Sequence, residues 1–440
     1  MALPPVLRHR DFSLYWFGVV FSQVGTRGTV AANLFQVYAL SKSIPVTGLV
    51  GLAQAVALLV LSPLGGAYAD RLHRRRLLQI TQAVSLAVAL GLTLVSYSGN
   101  VRTWQVLLAV VLTTAAATFD QPARQALIPA MVPRAELPQA FSLLNPSREL
   151  AVLLGPALAG VLIAVDGAAL MYLVDAATYV ALIAILSMLR IPLLIPETRT
   201  ASVWANITEG VSFVVRRPLI WQLMTLDLAA TVFGAYRVVL PALSINVLAV
   251  GATGYGLLSA APSAGALLLT YVVFRVIGRS SHLGWIVLWA SVGYGAAVVF
   301  LAQAPLFALA LTAGILIGGF DAMATTIRHA AVQLETPDEL RGRVSSIYQM
   351  FSRGGPALGD VNVGWIAGLL GPVTALSLGG LVSVAYAGIV MLKGTRVRAY
   401  RRAEPAEFDQ AASVVPPPDT EEVPGNTSAG SRDSGREQEN

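Results

Sequence analysis

Long apolar runs, separated by short polar or charged turns, fill the chain from about residue 12 to residue 392. Each run reaches the roughly 20 mainly apolar residues that a helix needs to cross the hydrocarbon core of a membrane. Backbone groups in lipid must be satisfied within a helix or a closed barrel, and the runs lack the alternation of barrel strands. The pattern therefore predicts an all-α polytopic membrane protein with twelve transmembrane helices, near 12–40, 46–68, 77–97, 104–128, 139–165, 168–189, 219–248, 255–277, 284–302, 305–329, 344–369 and 372–392.

The composition excludes a water-soluble protein. Hydrophobic residues make up 55% of the chain and charged residues 12%, which is about half the charged share of soluble globular proteins. A water-facing surface cannot be built from so few charges. The first apolar run is too long for a cleavable signal peptide, so none is expected.

The basic residues predict how the chain is oriented. With the N-terminus in the cytoplasm, most of the 30 lysines and arginines fall in cytoplasmic loops and the tail, whereas Lys42 and Arg102 fall in loops on the other side. This positive-inside distribution places both termini in the cytoplasm. It also accounts for the net charge of +6 without nucleic-acid binding. The strong preference for arginine over lysine suggests a GC-rich bacterial genome, and hence the inner membrane of a bacterium.

The longest loop divides the predicted spans into two sets of six. We predict an N-terminal half over 1–190, a cytoplasmic linker over 191–218, a C-terminal half over 219–392 and a cytoplasmic tail over 393–440. The tail is rich in proline, serine, glycine and acidic residues, which predicts disorder. Within the linker, 202–217 alternates apolar and polar positions, which is typical of an amphipathic helix on the membrane surface.

The two halves repeat a pair of landmarks. Asp120 and Asp321 are each followed by the sequence Gly-Pro-Ala-Leu, at 155–158 and at 355–358. The two copies are offset by 201 residues at the aspartate and by 200 at the glycine. Internal duplication of this kind is a known transporter architecture, in which the substrate site lies between the halves.

The loop between predicted spans 2 and 3 combines glycine, aspartate and several arginines, and it resembles the cytoplasmic signature loop of the major facilitator superfamily. The matching positions are Gly66, Asp70, Arg71, Arg74 and Arg75. His73 stands where many members have glycine. The resemblance implies that this loop latches the halves and acts as a conformational switch. Physically, glycine allows close helix approach, the aspartate can pair at the membrane rim, and the arginines can bind lipid phosphate.

Predicted span 5 carries a second motif, which consists of Gly155, Pro156 and Gly160. It resembles the glycine-proline motif of the superfamily's proton-coupled exporters, with Ala159 where the motif often has glycine. Further matches lie at 119–129, 172–176, 209–210, 239–243 and 341–343. Together they make residues 8–392 similar to the drug:proton antiporter branch that includes the enterobactin exporters. The resemblance implies two six-helix halves that rock around a central cavity.

Ionisable side chains inside the predicted spans are costly in a membrane and are functional candidates by default. Asp120 and Arg124 lie four residues apart on one helical face and can pair with each other. With Asp321 and Arg328 they lie toward the cytoplasmic ends of their spans, where we predict a role in gating. A purely structural role is the alternative.

Glu149 lies near the middle of predicted span 5. A carboxyl at that depth is hard to keep ionised and can take up and release a proton. We predict Glu149 as the first proton-coupling candidate, with Asp227 and Asp175 next. Arg27 and Arg237, at similar predicted depths in spans 1 and 7, are the expected counter-charges. Buried structural ion pairs are the alternative interpretation of these charges.

The resemblance places the cavity between helices 1, 4, 7 and 10, and these spans carry a sparse polar set. The substrate-binding candidates are Gln23, Arg27, Asn33, Tyr236 and Arg237. A cavity with apolar, aromatic and few charged groups suits amphipathic organic molecules better than sugars, which need dense hydrogen bonding.

These observations predict a secondary active transporter that exports a small organic molecule, such as a drug, a siderophore or a secondary metabolite, by proton antiport. We expect no cofactor, a proton gradient as the energy source, and a monomer among membrane lipids. An importer on the same fold and a non-transporting membrane sensor are the alternatives. An enzyme is not expected, because the sequence has no cysteine, no metal-ligand spacing and no phosphate-binding glycine loop.

Overall fold

The computed structural model describes residues 5–69, 73–189 and 203–401. Every regular element among these residues is helical, which confirms the all-α prediction. The helices are α1 (Arg10–Ser41), α2 (Ile44–Ala69), α3 (Arg74–Tyr97), α4 (Thr103–Leu127), α5 (Leu137–Ser142), α6 (Leu144–Met188), α7 (Val203–Arg216), α8 (Pro218–Phe233), α9 (Leu240–Ala242), α10 (Gly251–Leu268), α11 (Thr270–Arg279), α12 (Leu283–Gln303), α13 (Phe307–Leu334), α14 (Asp338–Leu370), α15 (Pro372–Lys393) and α16 (Thr395–Ala399).

Six helical stretches among the described residues are long and apolar enough to cross a membrane. The α10–α11 pair, bent by 41°, makes a seventh if it is counted as one span. α6 covers two predicted spans, which meet at a break in the helix. The backbone leaves helical geometry at Asp166 and at Gly167, where φ is 73°. Glycine adopts such a positive φ without strain, so the predicted turn at this dipeptide is present as a break within α6.

α1 lies along both arms of the broken α6. The first arm runs parallel to α1 and the second arm runs antiparallel to it, so α6 forms a hairpin. The contacts that establish this are Trp16–Ser147 and Arg27–Gly155 for the first arm, and Gly28–Met171 and Gly18–Leu182 for the second.

α8 is held in the same way by α14, which runs parallel to it, and by α15, which runs antiparallel. The contacts are Leu228–Gly355 and Val232–Gly359 with α14, and Phe233–Gly379 and Gln222–Gly394 with α15. Thr231 contacts Gly355, the first glycine of the second Gly-Pro-Ala-Leu copy. Arg27 contacts Gly155, the first glycine of the first copy. Arg237 lies six residues beyond Thr231, the position equivalent to Arg27, and past the end of α8.

The predicted single span over 219–248 is interrupted. α8 ends at Phe233, residues 234–239 are not helical, and α9 and a π-helical turn (Leu243–Val247) follow. Freed backbone carbonyls inside a membrane need new donors. Here the Tyr294 hydroxyl donates to the carbonyl of Gly234 (3.1 Å), and Asn362 donates to that of Val232 (3.2 Å). Neighbouring helices thus stabilise the break.

The turns between helices gather at two opposite ends of the bundle. The Lys42 end holds Lys42, Tyr97, Asp166, Asn246, Gln303 and Gly371, and the hydrogen bonds Tyr97–Asp166 (2.9 Å) and Gln303–Ser377 (2.9 Å) link its turns. The Arg74 end holds His9, Arg74, Glu136, Leu189, Arg217 and Tyr400, and the hydrogen bonds His9–Glu136 (3.0 Å) and Gly284–Tyr400 (3.0 Å) link its elements.

Among the described residues, the two most extensive interfaces between the first helix group (α1–α6) and the second (α8–α15) are α6–α10 and α2–α14, and both lie toward the Lys42 end. In the α6–α10 interface, a Cβ at Gly160 would lie 2.7 Å from the Cα of Gly256. In the α2–α14 interface, a Cβ at Gly364 would lie 3.2 Å from the Cα of Gly48. Small residues allow this close backbone approach between membrane helices.

The predicted amphipathic helix of the linker is present as α7. The residues from 190 to 202 lie outside the described part of the chain. Val214 is buried among Val344 and Ile347 of α14, and Arg343 forms an ion pair with Glu209 (2.6 Å). The apolar face of α7 therefore packs on α14, although the prediction placed it on the membrane surface.

Candidate functional site

The predicted ion pair between Asp120 and Arg124 is present in the first helix group. Asp120 also accepts hydrogen bonds from Gln82 (2.6 Å) and Thr81 (3.2 Å) of α3, and Arg124 donates to Ser22 of α1 (3.4 Å). The pair therefore ties α4 to α1 and α3, which is how a buried charge is kept satisfied away from water.

The second helix group holds a deeper ion pair. Arg328 of α13 contacts Asp227 of α8 at 2.8 Å, and the two side chains are 3% and 7% exposed. Arg328 also donates to Thr325 (2.8 Å), whose hydroxyl lies 3.4 Å from Asp321. The expected counter-charge of Asp227 was Arg237 or Arg27, so this part of the prediction is wrong: Arg328 fills that place.

Arg237 lies in the break of span 7 and pairs with Asp360 of α14 at 2.7 Å. The Asp360 side chain is 2% exposed and that of Arg237 is 39% exposed. Arg237 lies past the end of α8, within the non-helical residues 234–239, and its side chain reaches Asp360 of α14. Asp360 falls within predicted span 11 (344–369), and its position in the sequence alone indicates no partner.

Three other carboxyl groups in the bundle have no arginine contact among the ion pairs of the described residues. Asp175 is buried beside Gly25 of α1 and lies 3.4 Å from the Thr178 hydroxyl. Glu149 is half-buried and Asp321 is exposed. The three proton-coupling candidates therefore lie in different surroundings. Glu149 is half-buried, Asp227 is paired with Arg328, and Asp175 is buried beside α1.

The substrate-binding candidates are also divided. Gln23, Arg27 and Tyr236 are half-buried. Arg237 is 39% exposed, more than Asp360, its partner in the ion pair. Asn33 is 3% exposed, so it lies within the helix packing rather than on an accessible surface.

The predicted switch loop is described in part. Gly66 lies within α2, whereas Asp70 and Arg71 fall outside the described residues. Arg74 donates to the carbonyl of Ala126 (3.0 Å), and Arg75 to those of Leu189 (2.9 Å) and Ser187 (2.7 Å). These arginines bind the last carbonyls of α4 and α6, where cations are favourable, whereas we expected lipid phosphate.

The glycine-proline motif contacts two different partners. Gly155 packs against α1 within the first helix group, and Gly160 packs against Gly256 of the second. A Cβ at Gly256 would lie 2.7 Å from the carbonyl oxygen of Pro156. The motif thus lies where one helix group meets the other.

Further contacts close the Lys42 end, and sequence analysis missed them. Asn246 donates to the hydroxyl of Tyr38 (2.5 Å), and Tyr255 donates to the carbonyl of Ala31 (2.9 Å). A cavity of about 280 Å³ beside them is lined by Tyr38, Lys42, Pro45, Asn246, Gly368 and Pro372. The polar Asn246 within an apolar segment was the available signal. Among the described residues, no group of three or more His, Asp or Glu side chains could hold a metal ion.

Comparisons with known proteins agree with this geometry. A family model described as transmembrane secretion effector matches residues 2–423. The enterobactin exporter EntS of Salmonella choleraesuis is 26% identical over 358 residues, which are 81% of this chain and 84% of that protein.

Solved structures show the same fold. The nucleoside transporter NupG has a TM-score of 0.71 at 12% identity, with 88% of this chain and 99% of that chain covered. A bacterial homologue of the lysosomal transporter Spinster, solved inward-facing and unoccupied, has a TM-score of 0.66 at 14% identity, with 91% and 97% covered. At such low identities these likenesses establish the fold alone.

Proposed function

This chain belongs to the transmembrane secretion effector family of the major facilitator superfamily, and from that premise we propose that it exports a small organic molecule in exchange for protons. The protein is a multi-pass exporter of the bacterial inner membrane and not an enzyme.

We propose twelve spans with both termini in the cytoplasm and alternating access between two six-helix halves. The distribution of basic residues supports this orientation, which makes the Lys42 end the outer end. The observation that carries the proposal is that both interfaces between the helix groups lie toward that end. A bundle closed at that end would open toward the cytoplasm, and the Spinster homologue with the same fold was solved in an inward-facing conformation.

Proton antiport would supply the energy, with no cofactor. Glu149 is the first coupling candidate, because it is a half-buried carboxyl on the membrane-spanning helix α6. Asp227 and Asp175 follow, and the ion pairs Asp120–Arg124 and Asp227–Arg328 would serve as gating contacts. Movement of one helix group against the other would change the surroundings of each of these charges.

The cargo would be a drug, a siderophore or a secondary metabolite. The curated relative is named for the export of enterobactin, which favours a siderophore among these classes. Gln23, Arg27, Tyr236 and Arg237 are the accessible polar groups that would orient it. The transporter would act as a monomer in contact with membrane lipids.

The test is efflux of a panel of dyes and catecholate siderophores from energised bacterial cells that produce the full chain. We expect extrusion that collapses with a protonophore, and a loss of at least tenfold in rate for Glu149→Gln. Glu339→Gln, which changes an exposed carboxyl at the start of α14, is the matched control. Extrusion that survives Glu149→Gln would move coupling to another carboxyl, and accumulation of a panel compound would favour the importer.

A further inference from the structure

α11 is the least enclosed of the long helical segments near the Arg74 end. It follows a bend of 41° after α10 and covers Thr270–Arg279. Val273 is its one buried residue, and Ile277 packs on the same side against buried side chains of the second helix group. The turn after α11 lies at the Arg74 end, because the backbone N–H of Gly284 donates to the carbonyl of Tyr400 (3.0 Å).

Two arginines share the exposed face of α11. Arg275 and Arg279 lie four residues apart, which places their Cα atoms about 6 Å apart along the helix axis, and both residues are exposed. None of the ion pairs formed by the described residues includes either of them. Arg275 donates to the hydroxyl of Tyr271 (2.7 Å) and lies 5.8 Å from the centre of its ring, so it is held along the helix. The face therefore presents two positive charges that no described carboxylate neutralises.

A cavity of about 550 Å³ lies along this face and is bounded by the turn that follows it. Both arginines line it, together with Val272, Val276 and Ser280. The hydroxyl oxygen of Ser280 accepts the backbone N–H of the residue two positions on (3.1 Å), which leaves its own O–H free to donate. Val272 and Val276 are 44% and 37% exposed. The cavity thus combines positively charged N–H donors and a hydroxyl with an apolar wall.

This combination fits a phosphate group that is attached to an apolar chain. The planar guanidinium group offers N–H donors in pairs that match two oxygens of one phosphate. Basic pockets between membrane helices on the cytoplasmic side bind the head groups of anionic lipids. A free phosphate would use the arginines but would leave Val272 and Val276 without a partner.

We infer that α11 and the turn after it form a binding site for the phosphate of an anionic phospholipid. Arg275 and Arg279 hold the phosphate, Ser280 donates a further hydrogen bond, and the two valines contact the upper part of an acyl chain. By the proposed orientation the Arg74 end faces the cytoplasm, so the lipid belongs to the cytoplasmic leaflet. Binding itself requires neither that orientation nor export.

The test measures lipid binding to delipidated full-length protein in a neutral detergent. Native mass spectrometry counts the molecules of phosphatidylglycerol or of phosphatidylcholine, with the same acyl chains, that stay bound during a titration. We expect phosphatidylglycerol to bind the wild type at least about tenfold more tightly. Arg275→Gln combined with Arg279→Gln should weaken that binding about thirtyfold, because each arginine near an anionic lipid is worth roughly fivefold.

The matched control is Arg76→Gln combined with Arg134→Gln. It removes the same charge from two exposed positions at the same end of the molecule, in the first helix group, and should change phosphatidylglycerol binding less than about twofold. Arg275→Lys combined with Arg279→Lys keeps the charge and loses the paired donors, so we expect a loss between those of the two glutamine variants. The melting temperature of each variant checks that it is folded.

Three results would overturn the inference. Equal losses in the two double glutamine variants would mean that surface charge alone attracts the lipid. Equal affinity of the wild type for phosphatidylglycerol and phosphatidylcholine would remove the role of the arginines as an anion site. Displacement of phosphatidylglycerol by an equal concentration of inorganic phosphate would assign the site to free phosphate.

Efflux from cells separates this inference from the proposed function. If the wild type extrudes no panel compound while the purified protein retains phosphatidylglycerol through Arg275 and Arg279, export is wrong and the lipid site is supported. If the wild type extrudes a panel compound while the double glutamine variant on α11 binds phosphatidylglycerol as the wild type does, export is supported and the lipid site is wrong.

Discussion

The two interfaces between the helix groups use equivalent helices but different chemistry. Position 160 in α6 and position 360 in α14 are both the sixth residue counted from the first glycine of a Gly-Pro-Ala-Leu copy. Gly160 brings the α6 backbone onto α10, whereas Asp360 brings a carboxylate under α2. The α6–α10 interface is therefore formed by close glycine backbones, whereas the α2–α14 interface also contains a buried carboxylate paired with Arg237. The comparison teaches that equivalent positions of the two copies serve backbone packing in one interface and an ion pair in the other.

The largest expected effect tests the charged interface. Arg237→Met leaves Asp360 without a counter-charge beneath α2, and breaking a buried pair costs about 3–5 kcal/mol. We expect about 3 kcal/mol here, because Arg237 is 39% exposed and partly screened. The measurement is the free energy of unfolding in detergent micelles. Arg341→Met breaks the exposed Asp338–Arg341 pair and should cost less than about 1 kcal/mol; equal losses would contradict the comparison.

A smaller effect tests the apolar interface. Gly160→Ala adds a Cβ that would lie 2.7 Å from the Cα of Gly256 and 2.8 Å from the carbonyl oxygen of Ala252. Backbone atoms cannot rotate away, so we expect a loss of about 1–3 kcal/mol in the free energy of unfolding. Gly91→Ala, on a face of α3 with no atom within 4 Å, should be neutral or stabilising. A neutral Gly160→Ala would mean that this interface is looser than described.

The smallest effect compares the two interfaces at glycine. A Cβ at Gly364 would lie 3.2 Å from the Cα of Gly48 and 3.3 Å from the carbonyl oxygen of Ile44. A shift of a few tenths of an ångström relieves such contacts, so Gly364→Ala should cost less than about 1 kcal/mol. The same unfolding measurement checks it. A loss as large as that of Gly160→Ala would contradict the description of the α2–α14 backbones as less closely packed than the α6–α10 backbones.

Sequence alone predicted the helical class and most helix positions to within a few residues. Apolar runs long enough to cross a membrane favour helices over other secondary structure. The turn at Asp166-Gly167 was indicated by a glycine, which adopts a positive φ in the structure. The family assignment came from short motifs such as the residues around Gly155.

The break in span 7 was missed because Gly234 and Arg237 interrupt the apolar run only briefly, and residues 219–248 keep the length of a full span. Its stability comes from Tyr294 and Asn362, far away in sequence. The ion-pair partners were predicted wrongly for the same reason. Periodicity locates a charge along a helix, but it does not show which other helix will face that charge. The Asp120–Arg124 pair succeeded because both residues lie on one helix.

The contact between Gly160 and Gly256 also constrains how the sequence of this protein can vary. A Cβ at either position meets the backbone of the other helix, at 2.7 Å from Gly256 and 2.6 Å from Gly160. No substitution at the second position can make room for a side chain at the first, since glycine already has none to remove. The two positions should therefore each stay glycine without covariation, so a method that detects contacts from correlated substitutions would miss this contact between the helix groups.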